Sequence, residues 1–178
     1  MRIATVGLAA VVGVCVAVAR PMAADGPYQL IKLVVIGGEG GWDYLNVDSA
    51  AKRLYVSHAT KVVVVDLATD TIVGKIPDTP GVHGAVAATA GRVVVSNGRG
   101  GNASIVDAKT LQTISTVPTD ANPDFILFEP GRKEVYTFNG TGRSATVIDP
   151  ATEKVVATIP LGGKPEAACP IRRPNACT

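Results

Sequence analysis

Between residues 44 and 159 the apolar residues fall in runs of three to five, separated by clusters of Gly, Pro, Asn, Asp and Lys. Runs this short, rich in Val, Ile, Tyr and Thr and bounded by turn formers, predict β-strands; a helix would need about ten residues of 3.6-residue periodicity. Strands are expected at 44–47, 54–57, 62–65 and 72–76, then at 85–88, 93–96, 104–106 and 114–117, and again at 125–128, 135–138, 146–148 and 155–159. The run Val62–Val65 does not alternate with polar residues. That is the pattern of a strand covered on both faces.

The three groups of four strands are copies of one unit. Asp66, Thr69 and Pro77 recur as Asp107, Thr110 and Pro118, and again as Asp149, Thr152 and Pro160. The period is therefore 41 and then 42 residues. Within each Asp-x-x-Thr, the carboxylate can accept backbone N–H groups two and three residues on and the Thr hydroxyl can close the same turn, so these acids are read as hairpin staples and not as catalysts. A four-stranded antiparallel unit of this length, repeated radially, is a β-propeller blade. The fold class is all-β, a partial propeller ring of about three blades at 41–78, 79–119 and 120–162 within a body spanning 28–166. A lone strand is expected at Leu30–Ile36, because it matches the fourth strand and junction that begin at Val155. Residues 167–178 lose every strand signal and form an irregular tail.

The second strands end in Leu54-Tyr-Val-Ser-His58, Val93-Val-Val-Ser-Asn97 and Val135-Tyr-Thr-Phe-Asn139, and the blade junctions contain Gly41-Trp-Asp43, Asn122-Pro-Asp124 and Gly163-Lys-Pro-Glu166. On these motifs, from about Tyr28 to Glu166, the chain resembles the YVTN-repeat (YncE-like) β-propellers. The resemblance implies a closed ring of seven blades, or about 300 residues at this period. This sequence holds three blades, and the simplest account of the difference is a truncated or frame-shifted reading of a longer protein.

Composition changes the picture at the N-terminus. Arg2 precedes an uncharged stretch from Ile3 to Ala19, followed by small residues up to Ala24. This is the layout of a secretory signal peptide, assigned to residues 1–24, and it places the mature protein in the periplasm or outside the cell with no membrane span. An uncleaved anchor is the competing reading of the same stretch. Cys169 and Cys177 could pair in an oxidising compartment. A net charge of +2 with scattered basic residues excludes a nucleic-acid partner.

Strand order places the blade junctions and the ends of the second strands on one rim. That rim gathers Trp42, Asp43, His83, Asp124 and Glu166 from the junctions, and His58, Asn97 and Asn139 from the strand ends. Trp42, Asp43, His58, His83, Asn97, Asp124 and Asn139 are the candidate ligand-binding residues, since propeller mouths are where ligands collect. Imidazole beside carboxylate suits a divalent transition metal, with His58 and His83 as its ligands. The competing reading makes Asn97, Asn139 and Asp124 turn caps, the histidines ordinary rim residues and Trp42 a residue buried between blades. Gly98-Arg-Gly-Gly101 lacks the strand-to-helix context of a phosphate loop and reads as a loose turn.

No nucleophile triad or metalloprotease helix can be read, so catalytic residues are not assigned. The sequence favours an exported, cell-envelope binding or interaction scaffold, with a metal- or cofactor-binding enzyme or redox accessory propeller as the alternative. Expected partners are a protein or small-molecule ligand, and a second copy meeting the open blade faces. If residues 1–24 are removed on export, N-terminal sequencing of protein recovered from the envelope will start after Ala24 or within a few residues of it; a sequence starting at Met1 would refute the assignment.

Overall fold

A computed structural model describes residues 26–170, so the assigned signal peptide and Cys177 lie outside the described residues. Residues 26–33 are exposed and carry no strand, and the compact unit begins at Val34. The expected strand at Leu30–Ile36 is absent. A strand exists only as part of a hydrogen-bonded ladder, and no described strand pairs with this segment.

Three four-stranded antiparallel sheets follow one another along the chain. Blade A contains β1 (Trp42–Asp48), β2 (Arg53–His58), β3 (Lys61–Asp66) and β4 (Thr71–Ile76). Blade B contains β5 (Val82–Ala87), β6 (Arg92–Asn97), β7 (Asn102–Asp107) and β8 (Thr113–Pro118). Blade C contains β9 (Pro123–Glu129), β10 (Glu134–Asn139), β11 (Ser144–Asp149) and β12 (Lys154–Pro160). Among the described residues, the helical structure is two single turns of 3₁₀ helix, Thr89–Gly91 and Gly98–Gly100. Each sheet keeps its sequential strand order, and the first strands β1, β5 and β9 lie side by side on the inner edge.

The Asp-x-x-Thr turns form as their spacing predicts. Asp66 Oδ1 accepts from the N–H groups of Ala68 and Thr69 at 2.8 and 2.9 Å. Asp107 Oδ1 accepts from Lys109 and Thr110 at 2.9 and 2.7 Å, and Asp149 Oδ1 from Ala151 at 2.9 Å. The bound N–H groups hold all three carboxyls below the usual range, with the Thr152 hydroxyl the largest influence at Asp149. Each turn also places a residue in the left-handed region: Asp70, Leu111 and Glu153 have φ of 52°, 60° and 60°.

Packing of sheet on sheet supplies the core. The face of blade A toward blade B carries Tyr55, Val62, Val64 and Ile76, which meet Val93, Val95, Val106 and Leu111. The opposite face of blade B carries Val94, Ala103, Ile105 and Val117, which meet Ile126, Val135 and Ile148 of blade C. Val63 and Val65 lie on the other face of blade A with Val56, under Ile36 and Leu54. The unbroken run Val62–Val65 is thus covered on both sides, as its lack of alternation predicts.

The turn carboxylates generate a pH dependence. Their folded-state affinity for protons is lower than in the unfolded chain, so they favour the fold above the unfolded pKa of about 4 and lose that contribution as pH falls through the folded value. Changing Asp66, Asp107 and Asp149 together to Asn should flatten the acid limb of the stability curve below about pH 4, read by urea unfolding across pH.

Candidate functional site

Register fixes the rim. Trp42 pairs with His58, Val82 with Asn97 and Pro123 with Asn139, so each blade junction lies opposite the end of its second strand. One residue further on, Asp43, His83 and Asp124 occupy the same position in three successive blades. The structure brings these three together. His83 Nδ1 donates to Asp43 Oδ2 at 2.7 Å, and Asp124 Oδ1 lies 3.6 Å from the same nitrogen. All three side chains are partly open, at 26% exposure for His83, 36% for Asp43 and 18% for Asp124. One imidazole thus stands between two acids at the mouth. Tyr44, on the inner strand nearby, responds accordingly: burial raises its phenol, and Asp124 and Asp43 raise it further.

The side of His83 away from the acids rests on Gly98. A Cβ on Gly98 would meet His83 Nε2 at 2.5 Å and Asn122 Oδ1 at 2.9 Å. Glycine here lets the hairpin backbone pass directly under the ring. Gly81 plays the matching part beside Arg99, whose Cγ would lie 2.7 Å from a Cβ there. Trp42, Asp43, Ala59, Gly81, His83 and Arg99 line a cleft of about 210 Å³ between blades A and B. Arg99 and the two glycines were not assigned from sequence. The signal was the run Gly98-Arg-Gly-Gly101, read as a turn, whose first three residues form a 3₁₀ turn that carries Arg99 at the cleft.

His58 sits apart from this group. Its ring is fully buried and stacks on Trp42 with centroids 3.9 Å apart and planes 7° from parallel. Its Nδ1–H donates to Gly41 O at 3.0 Å. Nε2 is buried without a hydrogen-bond partner, beside the backbone of Gly38. Trp42 itself is 55% exposed, so one face of the indole rests on His58 and the rest meets solvent. Among the described residues no group of three His, Cys, Asp or Glu side chains is arranged to hold a metal ion.

Asn97 and Asn139 turn inward. Asn97 Nδ2 donates to Asn102 Oδ1 and Ser104 Oγ at 2.7 and 2.8 Å, and Asn139 Nδ2 donates to Ser144 Oγ and Thr146 Oγ1 at 3.0 and 2.9 Å. Both are buried and tie the second strand to the third. Asp120 accepts from the Ala121 N–H at 2.7 Å and from Ser144 Oγ at 2.8 Å, and these two bonds hold its carboxyl below the ordinary value. Glu166 is exposed and pairs with Lys164 at 2.6 Å. Cys169 is exposed.

Gly98→Ala tests the geometry of the rim. The added methyl must push the His83 ring off Asp43, at a cost of about 1 kcal/mol from the lost hydrogen bond. NMR of the imidazole protons should show a displaced His83 signal while the far-UV circular dichroism is unchanged; an unmoved signal would mean that the ring does not rest on Gly98.

No family model matches the chain. It is 29% identical over 107 residues to the uncharacterized protein YncE of Salmonella typhi and to that of Salmonella typhimurium. The alignment takes in 59% of this chain and 30% of those proteins, so the chain spans about a third of the length of the curated relatives it matches. Among solved structures, hydrazine synthase from Kuenenia stuttgartiensis is similar with a TM-score of 0.63 at 18% identity, over 74% of this chain and 39% of that one. AztD from Citrobacter koseri, in its apo form, gives 0.61 at 14% identity over 78% and 39%. The WD40 repeats of RRP9 give 0.61 at 16% over 72% and 41%. At these identities the structures speak for the fold alone. No helix among the described residues is long and apolar enough to cross a membrane. By repeat and sheet architecture the chain has the β-propeller fold, with three four-stranded blades among the described residues, and in sequence it is similar to the YncE proteins.

Proposed function

We propose that this protein is an exported, cell-envelope binding scaffold that takes a small ligand or a projecting group of a partner protein in the rim cleft between blades A and B. The observation that carries the reading is the convergence of Asp43, His83 and Asp124, one from each blade, beside a half-exposed Trp42. The cleft offers an acceptor in the Asp43 carboxylate, a cation in Arg99 and an aromatic surface in Trp42. An apolar surface with a few placed polar groups is the usual composition of a recognition site. Export rests on the charged, then apolar, then small-residue layout of residues 1–24 and belongs to the same proposal.

A second reading keeps a divalent transition metal at His83, with the ion drawing Asp43 and Asp124 in, since the three side chains are not arranged as a metal site as they stand. The two readings separate in one experiment. Thermal shift of the full chain against a panel of sugars, amines and carboxylates is compared with metal analysis by mass spectrometry. A scaffold predicts that an organic ligand raises the melting temperature, that Trp42→Ala abolishes the rise, and that no stoichiometric metal is found. Metal bound one to one and lost in His83→Ala would replace the scaffold reading with the metal one. His83→Ala should cost no more than about 1 kcal/mol, the lost bond to Asp43, because its ring is partly open. His58→Ala should cost about 2–4 kcal/mol, since that ring is buried beneath Trp42.

A further inference from the structure

The cleft between blades A and B has walls of opposite charge. Blade A contributes Trp42 and Asp43 to it, and blade B contributes His83 and Arg99. Asp43 and Arg99 line the same small space, yet the two do not pair. The Arg99 guanidinium has neither an acid nor a hydrogen-bond acceptor among the described residues. Unlike charges that share a cleft without meeting leave a gap for something that carries both.

Both walls are fixed in advance. On blade B the Gly98 N–H donates to Gly81 O at 2.9 Å and the Arg99 N–H to Pro80 O at 3.2 Å, so the turn that carries Arg99 is tied to the junction behind it. Gly81, at a φ of 63°, lets the Arg99 stem lie on its backbone, since a Cβ there would come within 2.7 Å of Arg99 Cγ. On blade A, Gly41 O accepts from the Ala59 N–H at 2.9 Å and from His58 Nδ1–H at 3.0 Å, and Trp42 rests on the His58 ring. Asp43 Oδ2 takes the Nδ1–H of His83, and Oδ1 is left without a donor among the described residues. Groups that are already held lose less freedom when a ligand arrives.

We infer that the rim cleft binds a free amino acid with an apolar side chain, its carboxylate on Arg99, its ammonium on Asp43 and its side chain on the half-exposed indole of Trp42. The guanidinium fork matches a carboxylate through two parallel hydrogen bonds, and a carboxylate oxygen accepts an ammonium N–H. A ligand with one charge would set an uncharged end against the opposite wall and forgo a charge-assisted bond. A peptide terminus has the same defect, with an amide where the second charge should be. Size agrees: at about 210 Å³ the cleft falls below the roughly 300–1,000 Å³ of sites that take drug-sized molecules. The inference rests on the small-ligand form of the function proposed above and adds the chemical class of the ligand.

Titration of the full chain with leucine, isopentylamine and isocaproate is the test. The second compound is leucine without its carboxylate and the third is leucine without its ammonium. A chelator in the buffer keeps a bound metal from gathering the amino and carboxylate groups in place of the protein. Leucine should bind, and each one-charge compound should bind at least about tenfold more weakly. Arg99→Gln should weaken leucine by a similar factor and leave isopentylamine unaffected, whereas Asp43→Asn should weaken leucine and leave isocaproate unaffected. A variant that had merely lost its fold would weaken all three alike, and its circular dichroism would show it. Either one-charge compound binding as tightly as leucine would overturn the inference and leave the scaffold reading standing. So would a failure of leucine to bind beside a positive result from the sugars, amines or carboxylates. Silence from every compound would overturn the inference and the small-ligand reading together.

Discussion

A four-stranded sheet whose two faces are both apolar is not a structure until something covers each face. In this protein the covers between blades A and B and between blades B and C are copies of the same sheet. Everything else follows from that mutual dependence. The unit must repeat so that the covers fit, and the repeat must be held to a nearly constant length so that they stay in register. The central blade shows the outcome most fully: Val93, Val94 and Val95 of β6 have no exposed surface, although they point alternately to opposite neighbours.

The same constraint decides where polar groups can go. The interiors of the faces are closed to them unless they pair, so Asn97, Ser104, Asn139, Ser144 and Thr146 are buried as a ladder of side-chain hydrogen bonds at one end of the strands. Charged groups that bridge blades sit at the periphery, as Arg92 and Glu153 do, or at the mouth, as Asp43 and His83 do. What remains open for chemistry is the rim, where strands end and backbone turns. There the sheet supplies position and the side chain is nearly unconstrained by packing.

Local features were the legible ones. Strand runs, the Asp-x-x-Thr turns and the repeat are written in neighbouring residues, and the blades follow from them. The rim was also legible in outline, because strand order alone puts the junctions opposite the ends of the second strands. What could not be read depends on register across the sheet. The irregularity in pairing between Trp42 and Leu45 brings Trp42 opposite His58, and this turns a histidine read as part of an open mouth into a buried ring under an indole. The role of Asp120 was equally hidden, since Ser144, which donates to it, is 24 residues away. The strand expected at Leu30–Ile36 failed for a related reason. Its residues favour extended backbone, but propensity does not supply a pairing partner.

One position in the period has a consequence for how such proteins diverge. Asp43, His83 and Asp124 are the same place visited three times, and no two successive blades put the same residue there. A substitution at that place alters one spoke of the mouth without disturbing the hub that carries it. A lineage could thus rewrite its specificity letter by letter, blade by blade, on an unchanged frame. Duplicating a blade would lengthen the alphabet of the mouth by one character at the moment it lengthened the ring.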